Sequence, residues 1–267
     1  MSTTALATPA AATTTTPWTT RQANASDLHT LATWHDLLGA PLPPPQADEA
    51  VWVAVPTAAD SDPETAPPRA SLRLRRHIGQ PVPRAWFRLG WAVHASDELA
   101  LYRRQRTLLL CHDLTGADEL TGFALAPGQD PAAAGGAWAA LLAAAAQPEA
   151  PGGAPGCIAE LPGLREPDGH SPVWDALGRH FCGADLDTLR RQHGPTGLHQ
   201  LATLMPRHLL YAALLPAAAQ AALGQVAPAA QALLQALQGA GFVAPGHVTT
   251  TDGGLVLAAP GHPAAWA

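Results

Sequence analysis

Residues 107–125 read TLLLCHDLTGADELTGFAL, and this stretch decides the fold. Two apolar runs, 107–111 and 119–125, are separated by a polar loop. Short apolar runs that are bounded by turn-forming residues are typical of buried strands. The Asp-Leu-Thr-Gly segment at 113–116 favours a turn, because an Asp side chain accepts hydrogen bonds from the backbone that follows it. The stretch therefore predicts a strand, a polar loop and a second strand within one sheet.

The residues before this stretch predict one helix and three further strands. Ser26 and Asp27 suit the start of a helix whose apolar face comprises positions 28, 31, 35 and 38, and the prolines from residue 41 onwards end it. The Pro-, Asp- and Ala-rich segment 56–70 is expected to be an exposed loop. The predicted strands are 51–55, 71–78 and 86–93, with the last two paired as a hairpin around Pro81 and Pro83.

The residues after this stretch predict several helices and short strands. A helix is predicted from Gly135 to Gln147, because its alanine and leucine residues have high helix propensity. The other predicted elements are a strand at 157–161, helices at 172–181, 216–223 and 228–237, and a strand pair after Phe242. This order indicates an α/β (α+β) fold with a mostly antiparallel mixed sheet flanked by helices. The pattern alone does not select one α+β fold over another.

The composition excludes several classes of function. The chain has 267 residues and a formal net charge of -6, and its 15 basic residues are all arginines scattered along the sequence. Nucleic-acid binding is therefore not expected, because it needs a clustered basic surface. The absence of lysine also removes the usual Schiff-base nucleophile.

The cysteines and the N-terminal residues bear on the compartment. The 3 cysteines form no CxxC pair, so neither a metal site nor a disulfide framework is expected, and a reducing cytoplasmic location is favoured. No apolar run reaches the roughly 18 residues of a spanning helix, so a membrane partner is not expected. Residues 1–17 lack the charged start and apolar core of a signal peptide, and we expect a disordered tail there.

Four blocks of sequence together match one family, namely 90–123; 159–160 with 169–181; 204–211 continuing to 224–228; and 252–254. These blocks resemble the arginine N-succinyltransferase family, and the loop at 110–116 is most similar to the alpha subunit of a two-subunit form. The resemblance implies a GNAT-like acyltransferase domain over residues 18–267 that lacks the small C-terminal domain of the family.

The resemblance implies a specific reaction, the transfer of a succinyl group from succinyl-CoA to the α-amino group of L-arginine in arginine catabolism. Succinyl-CoA is then a co-substrate, and no permanently bound cofactor is implied. Phe123 matches a family position that contacts succinyl-CoA. Gly135 and Gly136 match the CoA phosphate loop when the alignment is shifted to residues 132–137, whereas the unshifted alignment places residues 130–135 there.

Four polar residues are candidates for binding the arginine substrate, namely His94, Ser96, Asp113 and Glu160. The two carboxylates suit a guanidinium group, because a carboxylate can accept two parallel hydrogen bonds from it. Turn formation is an alternative role for Asp113.

One departure from the family falls at the position of its proton donor. That donor is the histidine of a Gly-Gln-Val-His-Pro motif, and this chain has Ala227 in its place. Two hypotheses follow. Either another group or water replaces the histidine in a working acyltransferase, or the chain is a catalytically impaired paralogue that acts as a structural or regulatory subunit. The expected assembly is a hetero-oligomer with a related subunit or a homo-oligomer.

Overall fold

The computed structural model describes residues 17–37, 39–57, 62–80, 82–145, 156–201 and 204–259. All of the expected tail except Pro17 lies outside these residues. Within them, no helix is long and apolar enough to cross a bilayer.

The strands are β1 Trp18–Gln22, β2 Glu49–Pro56, β3 Ala70–Arg75, β4 Trp86–Ser96, β5 Leu101–Cys111, β6 Asp118–Leu125, β7 Cys157–Glu160, β8 Leu210–Tyr211, β9 His247–Thr249 and β10 Val256–Ala258. The α-helices are α1 Ala25–Leu31, α2 Gly135–Ala145, α3 Arg179–Cys182, α4 Leu186–Leu201, α5 Ala217–Ala222 and α6 Gln231–Gly239.

The strands form two sheets. The first has the order β1-β2-β3-β6-β7-β10, and the second has the order β8-β5-β4-β9. Neighbouring strands are antiparallel except for β6 and β7, which run parallel. A parallel pair needs a crossover connection, and α2 lies in that connection. The predicted mixed α/β fold with a mostly antiparallel sheet is therefore confirmed.

Helix α2 supplies much of the core against the first sheet. Its Trp138, Leu141 and Leu142 are at most 1% exposed, and they belong to one apolar cluster with Leu233 and Leu237 of α6. Residues at this spacing lie on one face of a helix. The helix that was predicted from its alanine and leucine content is confirmed over the described residues.

The predicted hairpin between residues 71–78 and 86–93 is wrong. Strand β3 pairs with β2 on one side and with β6 on the other, so it has no free edge for β4. Strand β4 instead pairs with β5 and β9 in the second sheet. Residues 76–85 thus connect the two sheets, and they bring the buried side chain of Arg84 against β6 and β7.

Strands β4 and β5 form a long two-stranded ribbon. They pair along the full 11 residues of each strand, whereas β9 pairs only with residues 86–88 and β8 only with 107–108. The ribbon exposes large apolar side chains, including Trp91 and Tyr102. The guanidinium of Arg104 lies 4.2 Å from the centre of the Trp91 ring, so a cation–π contact covers part of that ring. Strand β5 begins at Leu101, six residues before the apolar run 107–111 from which it was predicted.

Among the described residues of the segment 56–70, some are buried, whereas an exposed loop was predicted. Ala66 and Pro68 are buried. Arg21 of β1 donates hydrogen bonds to the carbonyl oxygens of Pro63 at 2.8 Å and Ala66 at 3.2 Å. These contacts hold the described part of the segment against β1. Helix α1 also ends at Leu31, before the predicted position 38.

Helix α1 begins at a capping box, which makes one stability prediction. Asn24 Oδ1 accepts a hydrogen bond from the Asp27 N–H at 3.0 Å, and Asp27 Oδ2 accepts one from the Asn24 N–H at 2.8 Å. The substitution Asn24→Ala removes one acceptor, so the free energy of unfolding should fall by about 1 kcal/mol in urea denaturation. The exposed His29 of the same helix is the control, and its change to alanine should stay within about 0.5 kcal/mol. Equal losses in both variants would contradict the capping role.

Candidate active site

An open cleft with a volume of about 730 Å³ lies where the two sheets meet. Its walls come from β3, β6 and β7 of the first sheet, and from the start of β4 and the turn after β9. The charged residues on which its chemistry depends are Glu49, Arg73, Arg84, Glu119, Glu160 and Asp252.

A buried ion network occupies one wall of the cleft. Arg84 donates two parallel hydrogen bonds to Glu119 at 2.7 and 2.8 Å, and a third to Glu160 Oε1 at 2.6 Å. The indole N–H of Trp86 also donates to Glu160 Oε1, at 2.6 Å. Because β6 and β7 are parallel neighbours, the two carboxylates approach one guanidinium from adjacent strands. The network fixes both carboxylates in position.

Glu160 is the member of the network that a ligand can reach. Its side chain is 24% exposed and lines the cleft. Among the described residues, its hydrogen bonds both end on Oε1, which leaves Oε2 for a ligand. Burial raises the pKa of Glu160, and Glu119 and Asp252 add to the rise, although Arg84 opposes it. A fixed carboxylate with a raised pKa is a candidate for proton transfer.

A second charged group lies beside this network in the first sheet, because Glu49, Arg75 and Glu119 are opposite one another on β2, β3 and β6. Glu49 at the start of β2 pairs with Arg73 of β3 at 3.3 Å and also with Arg75. Arg73 donates a further hydrogen bond to the Pro43 carbonyl at 2.6 Å. Burial lowers the pKa of Arg73, and Glu49 counteracts this effect. The cleft therefore presents both signs of charge, as a zwitterionic or anionic ligand requires.

The turn between β9 and β10 lines part of the cleft. Asp252 Oδ1 accepts hydrogen bonds from Thr249 Oγ1 at 2.7 Å and from the Gly254 N–H at 3.1 Å. A Cβ atom on Gly254 would lie 2.1 Å from the Leu161 carbonyl oxygen, and one on Gly163 would lie 2.3 Å from that of Asp252. Only glycine fits at these two positions, so the Asp-Gly-Gly turn packs directly on the segment after β7.

Ala227 lies next to Pro162, a residue that lines the cleft. Its N–H donates to the Pro162 carbonyl at 2.8 Å, and the residue is 5% exposed. It immediately precedes a short 3-10 helix at Pro228–Ala230. A methyl group cannot transfer a proton, so this position supplies no acid or base to the cleft.

The predicted CoA-binding residues divide into two groups. Phe123 lines the cleft, and its ring meets Trp138 edge-on at 5.8 Å between ring centres. Gly135 and Gly136 begin α2 and are not among the residues that line the cleft. Asp130 already caps the preceding 3-10 helix, because its Oδ1 accepts the Ala132 N–H at 3.0 Å. An aspartate at this helix start disfavours a phosphate there.

Of the four predicted arginine-binding residues, Glu160 lines the cleft. His94 lies on the ribbon, with its ring 5.5 Å from that of Tyr211. Ser96 Oγ accepts a hydrogen bond from the Leu99 N–H at 3.3 Å in the turn of the ribbon. Asp113 bonds the Nε2 atom of His247 at 2.9 Å. Substrate roles for His94, Ser96 and Asp113 stay predictions.

Sequence reasoning missed two residues that organise these sites, Arg84 and His247. Arg84 follows a proline-rich segment and has no periodic pattern around it. The sequence contains only an indirect signal for Arg84. Glu119 and Glu160 lie on predicted strands, and a buried carboxylate needs a cationic partner. His247 carried no local signal, because its partner Asp113 is 134 positions away.

The fold is that of an acyltransferase subunit of known structure. The structure of arginine/ornithine succinyltransferase subunit AI from Pseudomonas aeruginosa aligns with 91% of this chain and 76% of its own length. The TM-score is 0.67, and the sequences are 25% identical.

Sequence comparison identifies the family. The family model described as arginine N-succinyltransferase beta subunit matches residues 62–263. Arginine N-succinyltransferase subunit alpha of Pseudomonas aeruginosa is 36% identical over 173 residues, which cover 64% of this chain and 51% of the relative. Arginine N-succinyltransferase of Yersinia pestis is 33% identical over 177 residues, which cover 65% and 49%. The chain belongs to the arginine N-succinyltransferase family, and it spans about half the length of the curated relatives that it matches.

Proposed function

We propose that this chain transfers a succinyl group from succinyl-CoA to the α-amino group of L-arginine in the cleft between the two sheets. The observation that carries the proposal is the fixed, partly exposed carboxylate of Glu160 on the same cleft wall as Phe123. The first residue offers a proton acceptor, and the second offers an apolar surface at the family position that contacts succinyl-CoA. The family membership of the chain supports the choice of substrates.

The reaction has three requirements that the cleft residues must meet. The α-amine loses a proton, its nitrogen forms a bond to the thioester carbonyl carbon, and the CoA thiolate gains a proton after the C–S bond breaks. We assign the first proton to Glu160 Oε2. Arg84 and Trp86 hold the other oxygen, so the acceptor is fixed before the amine arrives.

The leaving thiolate lacks the histidine that protonates it elsewhere in the family. With Ala227 at that position, the proton comes from water, and the rate of thiolate departure is lower. The CoA phosphates also need another contact, since Asp130 caps the helix start that would bind them. Arg190 and Arg191 of α4 line the cleft, and we assign them to the phosphates or to the succinyl carboxylate.

An acylation assay on the purified full chain tests the proposed function. The chain, succinyl-CoA and L-arginine should give α-N-succinylarginine and free CoA in equal amounts, as measured by mass spectrometry and a thiol reagent. Arginine with an acetylated α-amino group is the control, and it should give no product. A correctly folded chain that produces no succinylarginine with millimolar substrates would contradict the proposal.

Restoring the missing histidine should accelerate the reaction. The variant Ala227→His places an imidazole where the family has its proton donor, and we expect kcat to rise by up to about 100-fold. The position is buried, so the larger side chain should also lower the stability by about 1–3 kcal/mol. Ala227→Asn, which has a similar size and no proton to donate at neutral pH, is the matched control. Equal rates in both variants would show that this position has no part in proton transfer.

A catalytically impaired paralogue is the second candidate function, and two observations favour it. Ala227 removes the proton donor, and Asp130 places a negative charge at the candidate phosphate loop. In this case the chain acts as a structural or regulatory subunit of an active succinyltransferase. A silent wild-type chain together with an active Ala227→His variant is the result that this candidate predicts.

Assembly with other subunits is part of the proposal. Two of the relatives are named as alpha and beta subunits, and both come from Pseudomonas aeruginosa. We propose that this chain also works in an oligomer, either with a related subunit or with copies of itself, and sedimentation velocity measures its oligomeric state.

We propose the cytoplasm as the location of the chain. Cys111, Cys157 and Cys182 form no disulfide, which suits a reducing compartment.

A further inference from the structure

Three potential metal ligands converge outside the cleft. Cys111 ends β5, Asp113 lies in the loop that follows, and His247 begins β9. The sulfur of Cys111, a carboxylate oxygen of Asp113 and a ring nitrogen of His247 all lie within 4.8 Å of one another. We propose that these three residues form a zinc-binding site.

The donor set matches the chemistry of zinc. A thiolate, an imidazole and a carboxylate are all common ligands of Zn²⁺, and three protein ligands leave a fourth tetrahedral position for water. Bonds of about 2.0–2.3 Å bring tetrahedral ligand atoms within roughly 3–4 Å of one another, so the observed cluster needs only a small contraction. The Asp113 side chain is 38% exposed, which gives the ion and its water a path from solvent.

His247 is held with its Nε2 atom towards the other two donors. It is fully buried, and its Nε2 lies 2.9 Å from both carboxylate oxygens of Asp113. Nε2 therefore faces the Asp113 carboxylate and the Cys111 sulfur, which is the orientation that a shared ion requires.

The second sheet holds two of the ligands rigidly. Strand β4 lies between β5 and β9, with Cys111 opposite its Trp86 and His247 opposite its Arg88. Rigid strands fix ligand positions better than loops do. The Arg88 guanidinium, 4.0 Å from Asp113, is 44% exposed and can turn into solvent when the ion enters.

Zinc binding must also balance its protons. Burial is the main factor that raises the pKa of the Cys111 thiol to about 12, and Asp113 adds to it, so the ion displaces a proton from sulfur into solvent. Binding of the ion at Nε2 requires an imidazole whose proton lies on Nδ1. Asp113 is already ionised, because His247 and other hydrogen bonds hold the pKa of its carboxyl well below the usual range.

Cobalt substitution tests the site on the tag-free full chain, reduced with a phosphine. Titration with Co²⁺ should reach one equivalent and give a sulfur-to-cobalt charge-transfer band together with the strong visible bands of tetrahedral Co²⁺. Added Zn²⁺ should remove these bands. The variant Cys111→Ser should lose the charge-transfer band, whereas Cys157→Ser and Cys182→Ser, the matched controls, should keep it.

A second variant keeps the test valid if Cys111→Ser does not fold. Asp113→Asn changes a partly exposed side chain, and we expect its affinity for Co²⁺ to fall by at least about tenfold while its circular dichroism stays unchanged. A wild-type chain that shows no thiolate band would overturn the proposal. A band that survives in Cys111→Ser, or an affinity unchanged in Asp113→Asn, would do so equally.

Discussion

The variant Glu160→Gln should acylate arginine about 100 to 10,000 times more slowly than the wild-type chain, with the loss in kcat. Glutamine has nearly the same size, and its carbonyl oxygen can still accept the hydrogen bonds from Arg84 and Trp86. The amide cannot take a proton from the substrate amine at neutral pH. Steady-state kinetics with L-arginine and succinyl-CoA measure the change, and the KM values should move much less than kcat.

The pH profile separates this catalytic role from a structural one. Only the ionised carboxylate accepts a proton, so wild-type activity should fall as the pH falls through the pKa of Glu160. Burial raises that pKa in the field of Arg84, Glu119 and Asp252, so this acid limb lies above the ordinary value of about 4.3. The limb should be absent from the residual activity of Glu160→Gln.

The exposed Glu98 in the turn of the ribbon is the matched control. The variant Glu98→Gln removes the same charge far from the network, and it should keep both the wild-type rate and the acid limb. If Glu160→Gln behaves like this control, Glu160 is not the proton acceptor.

The variant Arg84→Met should lower the free energy of unfolding by about 3–5 kcal/mol at pH 7. Methionine fills much of the same space, but it removes the cation that Glu119 and Glu160 both contact. The cation–π contact with Trp86, at 5.4 Å, is also lost. Urea denaturation measures the effect. The exposed pair of Arg76 with Asp118 gives the control, because Arg76→Met should cost no more than about 1 kcal/mol.

The loss in Arg84→Met should depend on pH in a defined direction. Arg84 lowers the pKa of Glu160, so its removal raises the folded-state pKa further above the unfolded value. A carboxyl with a raised folded-state pKa destabilises the protein above its unfolded pKa, and it ceases to do so as the pH falls below about 4.3. The penalty should therefore be smaller at pH 5 than at pH 7. A loss that is equal at both pH values would contradict the ionic role of the network.

Local patterns predicted the parts of the fold that depend on local physics. The apolar runs on either side of the loop at 112–118 fall in β5 and β6, and the Ala/Leu-rich segment is α2. Local patterns could not show whether β3 and β4 pair with each other, because the pairing of two strands depends on which strand edges are already occupied. Strand β6, more than 40 residues along the chain from β3, takes the edge that the prediction gave to β4.

The candidate site was predictable only one residue at a time. The resemblance to the family pointed to Glu160, and the carboxylate chemistry supported it, but neither indicated that Arg84 and Trp86 hold it. Arg84, Glu119 and Glu160 come from three separate segments, and only the folded sheets bring them within hydrogen-bonding distance. The cluster of Cys111, Asp113 and His247 was missed for the same reason, because two of its residues are close in sequence and the third is distant.

Calorimetric titration of the purified full chain with succinyl-CoA tests most directly whether the cleft is an acyl-transfer site. We predict saturable binding of one succinyl-CoA per chain below millimolar concentration, by the wild-type chain and by Glu160→Gln alike, because the glutamine variant impairs proton transfer rather than donor binding. The absence of binding heat at millimolar succinyl-CoA, in a chain that circular dichroism shows to be folded, would contradict this account.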